Sequence, residues 1–529
     1  MIKRKPLTNA AGTGPPPTRH GSRRAGGARG RWLGVLTVLI LAAGTGTLPR
    51  QESAAATVTE SNRPVRSCES LTQVTFTDGT RVTSAKRTDA TPPLCEVTLV
   101  VPESTGIVMA LPVDNWNGRF HGTGAGGYGG WLAPAQVDGP AQAGYASAGT
   151  DGGHSGSPLD GSWAWSPTGM NTSLIKDFAY RSAHEMTVKG KAITTAYYGR
   201  PPGYSYWDSC SGGGRMGLME AQRYPDDYDG ILASSPALNG DRFVPAGMWP
   251  QVVMHEAGDF VPQCKFDAFT QAAVAACDAH DGVTDGVIDP RTCAFDPARL
   301  VGRQTPCGRI TAKDAAVMRR IWDGPRRPDG TRLWYGIPRG APLSAYASTS
   351  DTDGLPNPLP GDWFKYWLAK DPTWDWHTLT VANFATYFEQ SRREYGDLLG
   401  TDDTDLSAFR ASHGKMIIWH GWADEVVMPQ GTVDYYKRLL ATMGGKERTE
   451  RFARLFMAPG VQHCVGGPGA YPVDPLTDLV RWVEHGQAPD TLYAKNGDMT
   501  RPLCRWPAVA RYTGHGSTDD SADFRCTDT

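Results

Sequence analysis

Residues Tyr204–Ala221 read YSYWDSCSGGGRMGLMEA, and the fold is decided there. An alternating aromatic run (Tyr204, Tyr206, Trp207) ends in a tight knot, Ser209-Cys210-Ser211-Gly212-Gly213-Gly214. A helical pattern follows, with Met216 and Met219 three apart, and Tyr224-Pro225 stops it. Strand, sharp turn and helix is the arrangement that lifts a nucleophilic hydroxyl onto a strained corner. Small neighbours are needed because a bulky side chain would clash in such a turn. Gly213 stands two after Ser211, as G-x-S-x-G requires, but Ser209 occupies the position two before. In a second register Cys210 is the nucleophile, with Gly212 two after it and Asp208 two before. In a chain with 62 glycines the knot alone reads equally well as an ordinary strand-to-helix turn. A second pairing far downstream, His463-Cys464, tips the balance.

Working outward, the same alternation recurs on both sides. Val74–Phe76, Glu96–Val101 and Gly106–Leu111 predict short strands near a sheet edge. Gly144–Gly149 predicts another. A long amphipathic helix then starts from an Asn171 cap, carries Leu174, Ile175, Phe178, Met186, Ala192 and Ala196, and stops at Gly199. Gly230–Ala233 follows as a buried strand. The rhythm is lost near Asn239 and returns with the strand Lys415–Gly421, the helix Thr432–Met443, the strand Phe452–Met457 and the helix Leu476–His485. Strands alternating with helices indicate an α/β fold with a largely parallel sheet. The interruption holds Trp249, Trp322, Trp334, Trp363, Trp367, Trp374 and Trp376 and many prolines. It reads as an inserted lid domain at 240–406, dividing the sheet domain into 57–239 and 407–529.

The N-terminus stands apart. Met1–Arg31 is basic and free of acidic residues, Trp32–Ala43 is a short apolar run, and Ala54-Ala55-Ala56 supplies small residues. That sequence of regions reads as a secretory signal removed near Ala56, so residues 1–56 are excluded from the fold and the mature protein is expected outside the cell. Arg23-Arg24 hints at a twin-arginine route without the flanks to support it. The ten cysteines, Cys68, Cys95, Cys210, Cys264, Cys277, Cys293, Cys307, Cys464, Cys504 and Cys526, all follow the signal. An even number in an exported chain argues for five disulfides, and an oxidised Cys210 cannot attack. A formal net charge of -2 gives no electrostatic reason to expect nucleic acid or an anionic membrane as partner.

Ser211, Asp424 and His463 each fall just past a predicted strand, in the order nucleophile, acid, base. That is the chain order of α/β-hydrolases. The imidazole takes the serine proton, and the carboxylate fixes the tautomer and stabilises the charged ring. Glu425 is the alternative acid; Asp424 is favoured as the first one past the strand. Among 12 histidines a single one is a weak signal, but His463 adjoins Cys464 as Ser211 adjoins Cys210. A Cys210–Cys464 bridge, with Cα atoms about 5.5 Å apart, would keep the adjacent Ser and His near hydrogen-bonding reach. Gly122–Gly130 is dense enough in glycine to leave backbone N–H groups free for an oxyanion, or to be a plain surface loop.

These motifs resemble the tannase and feruloyl esterase family, to which the bacterial terephthalate monoester hydrolase also belongs. The likeness rests on Cys210-Ser211, Asp424 and His463-Cys464, the glycine loop, Ile321–Pro325 and Trp419–Asp424, and it covers nearly the whole chain after the signal. The family commonly has Gly where Ser209 stands and Asp-Thr-Gly-His where Asp151–His154 stands. The resemblance implies an α/β-hydrolase with a large lid, the triad Ser211, Asp424 and His463, and the Cys210–Cys464 bridge. It implies an oxyanion hole from Gly212 with Gly126 or Gly127. It also implies a structural Ca2+ held by Asp278, Asp281 and Asp285 and by the carbonyls of Val283 and Val287; carboxylates and tight glycine turns suit a hard cation. Of the remaining cysteines, Cys277–Cys293 would close that loop and Cys504–Cys526 would pin the tail. Cys68–Cys95 follows from locality and Cys264–Cys307 by elimination. The activity expected is hydrolysis of aromatic-acid esters through an acyl-enzyme: feruloyl first, galloyl second, terephthalate monoesters third. The rival of another class is a non-catalytic, calcium-stabilised binding protein.

Overall fold

The computed structural model describes residues 62–528 except 90, 104 and 351. The expected signal and its cleavage point lie outside the described residues. Nine strands make the central sheet: β1 (Arg81–Arg87), β2 (Leu94–Val101), β3 (Thr105–Pro112), β4 (Arg119–Gly124), β5 (Ala146–Thr150), β6 (Tyr204–Cys210), β7 (Gly230–Ser234), β8 (Lys415–Gly421) and β9 (Ala453–Ala458). Their spatial order is β1-β2-β3-β5-β4-β6-β7-β8-β9. Pairing is antiparallel from β1 through β3 to β5, and parallel from β5 onward. Parallel neighbours require crossovers, supplied by α1 (Ser182–Tyr198) before β6, α2 (Gly212–Arg223) before β7 and α3 (Pro429–Thr442) before β9. β7 and β9 are buried at every position, as strands covered on both faces must be.

Successive side chains in a strand point to opposite faces, and the core divides accordingly. Trp207, Ile231, Ile418 and Leu455 pack with Met186 and Ile193 of α1 and Met216 of α2. Tyr206, Leu232, Ile417 and Phe456 pack on the other face with Leu479 and Trp482 of α4 (Pro475–His485).

Three sequence expectations shift. Val74–Phe76 is not a strand: Thr75 makes an isolated bridge to Arg81, and the chain turns between them through Gly79 at φ 87°. Asn171 does not cap the helix that follows; its side-chain amide donates to the Trp163 carbonyl at 3.0 Å. The glycine stretch begins inside β4, where Gly122 lies against the Tyr228 ring and Gly124 against Trp207. Those two glycines answer to packing, and the loop proper is Ala125–Gly130.

Between β7 and β8 the chain adds no strand to the sheet. Its apolar residues, among them Phe243, Phe269, Trp322, Trp363 and Phe388, join one cluster with Tyr128, Ile175 and Phe178 from before β6 and with Val427 and Met428 from after β8. Beyond α4 lie antiparallel hairpins that the sequence reading missed, Thr491–Asn496 with Met499–Cys504 and Val509–Tyr512 with Phe524–Thr527.

Candidate active site

Ser211 sits between β6 and α2 with φ 60° and ψ −124°. A non-glycine residue there is held by its surroundings at a cost of about 1–3 kcal/mol. Its N–H donates to the Ser234 carbonyl on β7 at 3.0 Å, and its own carbonyl accepts from Ala237 at 3.0 Å and Arg215 at 2.9 Å. The glycines after it let α2 approach the sheet. A Cβ at Gly213 would stand 2.7 Å from the Gly124 carbonyl, and one at Gly214 would stand 2.8 Å from that of Ser234. Ser209, the departure from the motif, turns toward β4, where its hydroxyl donates to the Gly124 carbonyl at 3.1 Å and accepts from Thr123 at 3.2 Å.

The Ser211 hydroxyl is 2.8 Å from His463 Nε2, and His463 Nδ1 is 2.7 Å from Asp424 Oδ2. Asp424 Oδ1 accepts the Val426 N–H at 2.8 Å and the Val427 N–H at 2.7 Å, so the carboxylate is fixed in plane. Burial alone would raise the Asp424 carboxyl, but the facing His463 charge and the hydrogen bonds of His420 and His463 outweigh it and hold it well below the usual range. Burial likewise opposes charge on His463, and Asp424 outweighs it, so the imidazole is more basic than usual. Glu425, the alternative acid, instead accepts the backbone N–H of His463 at 3.3 Å. The sequence reading passed over His420, a fully buried ring that shares Asp424 Oδ2 at 2.9 Å.

Ser211 and His463 open on a cavity of about 340 Å³ lined by Tyr128, Phe178, Phe243, Tyr346 and Trp363, with Leu and Val side chains between. Of the seven tryptophans between β7 and β8, Trp363 alone is on that lining. Arg215 is the charged side chain at the cavity other than His463; it is buried, and its two terminal nitrogens donate to the Ala179 and Phe178 carbonyls at 2.7 Å each. Gly126, Gly127 and Gly212 also line the cavity. In the glycine loop the N–H groups of Tyr128, Gly129 and Gly130 bond the carbonyls of Pro158, Gly126 and Asp151. The Gly127 nitrogen lies beside Gly212, 3.2 Å from where a Cβ on that residue would stand. That places it next to the N-terminus of α2, where backbone N–H groups attract negative charge.

The cysteines pair as Cys68–Cys95, Cys210–Cys464, Cys264–Cys307, Cys277–Cys293 and Cys504–Cys526. Cys210 and Cys464 hold their Cα atoms 6.1 Å apart, tying the serine turn to the histidine loop. In the expected metal loop Asp278 accepts the N–H of Asp285 at 3.2 Å and of Gly286 at 3.0 Å. Asp281 Oδ1 accepts from Val283 at 3.0 Å, and Asp285 pairs with Arg501 at 2.7 Å. Burial, then the like charges of Asp285 and Asp278, raise the Asp281 carboxyl, a repulsion that a hard cation would relieve. The oxygen donors are of the kind Ca2+ takes, but Asp278 and Asp285 are engaged by N–H groups and by Arg501, and three carboxylate oxygens do not converge there as ligand atoms do at His184, Glu220 and Asp227, within 4.8 Å of one another. There the His184 Nδ1–H donates to the Asp227 carboxylate at 2.6 Å, and the Lys191 ammonium donates to the Asp227 backbone carbonyl, placing a resident cation at that cluster.

Among the described residues no helix is long and apolar enough to cross a membrane. The "Tannase and feruloyl esterase" family model matches residues 96–527. A probable feruloyl esterase of Arthroderma benhamiae is 40% identical over 469 residues, covering 84% of this chain and 87% of its own. Mono(2-hydroxyethyl) terephthalate hydrolase of Piscinibacter sakaiensis is 32% identical, covering 83% and 85%. Among solved structures, feruloyl esterase B from Aspergillus oryzae superposes with a TM-score of 0.77 at 27% identity, over 87% of this chain and 100% of that one. A serine–histidine–aspartate chain on an α/β-hydrolase sheet, and relatives aligned over most of both lengths, lead to one conclusion: the chain belongs to the tannase and feruloyl esterase family and is a carboxylic ester hydrolase.

Proposed function

We propose that this hydrolase is an exported serine esterase that frees aromatic acids from their esters through an acyl-enzyme on Ser211, with feruloyl (hydroxycinnamoyl) esters its first substrate class. The observation that carries the proposal is the hydrogen-bonded chain from Ser211 to His463 to Asp424, opening on a cavity walled by aromatic rings. His463 Nε2 takes the Ser211 proton as Oγ bonds the ester carbonyl carbon. The oxyanion that forms is met by the N–H groups of Gly212 and Gly127. Collapse breaks the carbon–oxygen bond to the alcohol, which leaves with the proton from His463. Water, deprotonated by the same imidazole, then attacks the acyl carbon and releases the acid and Ser211.

Galloyl esters rank second and terephthalate monoesters third. Arg215 is the cavity's guanidinium, and its terminal nitrogens are already committed to carbonyls, so a neutral phenolic acyl group meets the lining better than a free carboxylate does. Export is supported by the signal-like N-terminus and the five disulfides. A Ca2+ held by Asp278, Asp281 and Asp285 and the carbonyls of Val283 and Val287 would brace the loop closed by Cys277–Cys293, and no catalytic step is assigned to it. Incubation with a fluorophosphonate probe is the test of mechanism: one label per chain, absent in Ser211→Ala, is the expected result. Labelling that survives this substitution refutes it. Rates on methyl ferulate, methyl gallate and a terephthalate monoester rank the substrate classes, and turnover of the monoester alone overturns the order given.

A further inference from the structure

Asp424 carries a second imidazole. His420, on β8, is wholly buried, and its Nε2 lies 2.9 Å from Asp424 Oδ2 and 3.1 Å from the Val427 carbonyl. Both partners are acceptors, so the ring hydrogen sits on Nε2. On the far side Nδ1 is 2.8 Å from the hydroxyl of Thr432 on α3, which then donates to it and fixes that tautomer. Oδ2 of Asp424 is therefore shared by two histidines, and Oδ1 by two backbone N–H groups.

We infer that His420 is a positioning residue for ester hydrolysis: by donating to the oxygen that faces His463, it sets the direction and the basicity of the Asp424 carboxylate, and Thr432 keeps it in the donating form. The inference rests on the proposed Ser211–His463–Asp424 mechanism. A carboxylate oxygen that shares its electron density with a second donor pulls less on the His463 proton. Removing that donor leaves Asp424 held by Val426 and Val427 but more strongly basic, so the His463 imidazolium is stabilised and the free base is scarcer at a given pH. The other groups facing this pair are Glu425, beside the His463 backbone, and the Tyr346 phenol, made less acidic first by burial and then by the charges of Asp424 and Glu425.

Two substitutions separate positioning from packing. In His420→Gln the side-chain amide can stand where Nε2 stands and still donate to Asp424. In His420→Asn it reaches only toward the Nδ1 side, and that donor is lost. The readout is the pH dependence of fluorophosphonate labelling of Ser211, together with kcat and KM on methyl ferulate. His420→Asn should label about tenfold more slowly at neutral pH, the loss of one hydrogen bond to a charged group. Its acid limb should move upward by half a pH unit or more, and kcat should fall while KM holds. His420→Gln should restore most of the rate and return the limb toward the wild-type position. If His420→Asn does not fold, Thr432→Val, which frees the tautomer, should slow labelling about threefold with the limb moved the same way. Equal rates and limbs in wild type and these variants, or equal losses in Asn and Gln with no limb shift, would overturn the inference. Labelling of wild type on Ser211 keeps the mechanism standing in that event; absence of that label would overturn both.

Discussion

Replacing Cys210 and Cys464 together by alanine should cost both stability and rate. The bridge spans 254 positions, and the chain-entropy model for a loop of that length gives about 5 kcal/mol of stabilisation. With an unfolding entropy of about 2.1 cal/mol/K per residue, a chain of this size should lose about 5 °C in midpoint temperature. The rate effect has a separate cause. Ser211 and His463 lie one residue from the two sulfurs, and their 2.8 Å contact joins loops that leave different strands, β6 and β9. Without the bridge that separation is held by the hydrogen bond and by packing alone, and a loosening of 1 Å costs on the order of a hundredfold in rate. The measurement is kcat on methyl ferulate and fluorophosphonate labelling, both taken well below the variant's own midpoint so that unfolding does not contribute. A variant that melts several degrees lower yet labels and turns over at the wild-type rate would refute the geometric argument and leave the bridge a purely thermodynamic brace. Unchanged melting would refute the entropic one.

Other outcomes follow from the site. Activity should fall as pH drops through a midpoint above 6.5, because the base must be unprotonated and Asp424 raises the His463 pKa over its opposing burial; a midpoint below 6.5 would contradict this. The same shift makes the protonated ring stabilising: that contribution is complete below the ordinary value of about 6.5 and is lost as pH rises through the raised one. Asp424→Asn should lower kcat by about 10⁴ through the wrong imidazole tautomer, whereas Glu425→Gln should leave most of the rate; comparable losses would reopen the assignment of the acid. Chelation should lower the melting temperature while leaving initial rates at mild temperature largely intact. An immediate, equal loss of rate would place the cation in the chemistry.

How much of this was legible in the chain depends on the range of the interactions involved. The serine turn was readable because its constraints are local. A serine at φ 60° with a helix pressed to the sheet needs small neighbours at consecutive positions, and Gly212–Gly214 supply them. The alternation around it gave the α/β class, since a parallel sheet needs a crossover between each strand pair. Asp424 and His463 could be nominated because each follows a buried strand, and Cys210 and Cys464 because sulfur beside both partners points to one bridge. The glycine stretch misled in part: Gly122 and Gly124 answer to Tyr228 and Trp207, partners set by tertiary packing.

The amino-acid order by itself determined the candidate nucleophile, its turn, the sheet class and the set of cysteines, because backbone sterics and strand–helix periodicity act over a few residues. The tertiary structure alone decided that Trp363, of the seven tryptophans between β7 and β8, lines the cavity at Ser211, and that His420 shares the Asp424 oxygen. A tryptophan in the core and one at a cavity wall have the same local signature. What separates them is the set of distant segments that meet around each ring, and only folding brings those together.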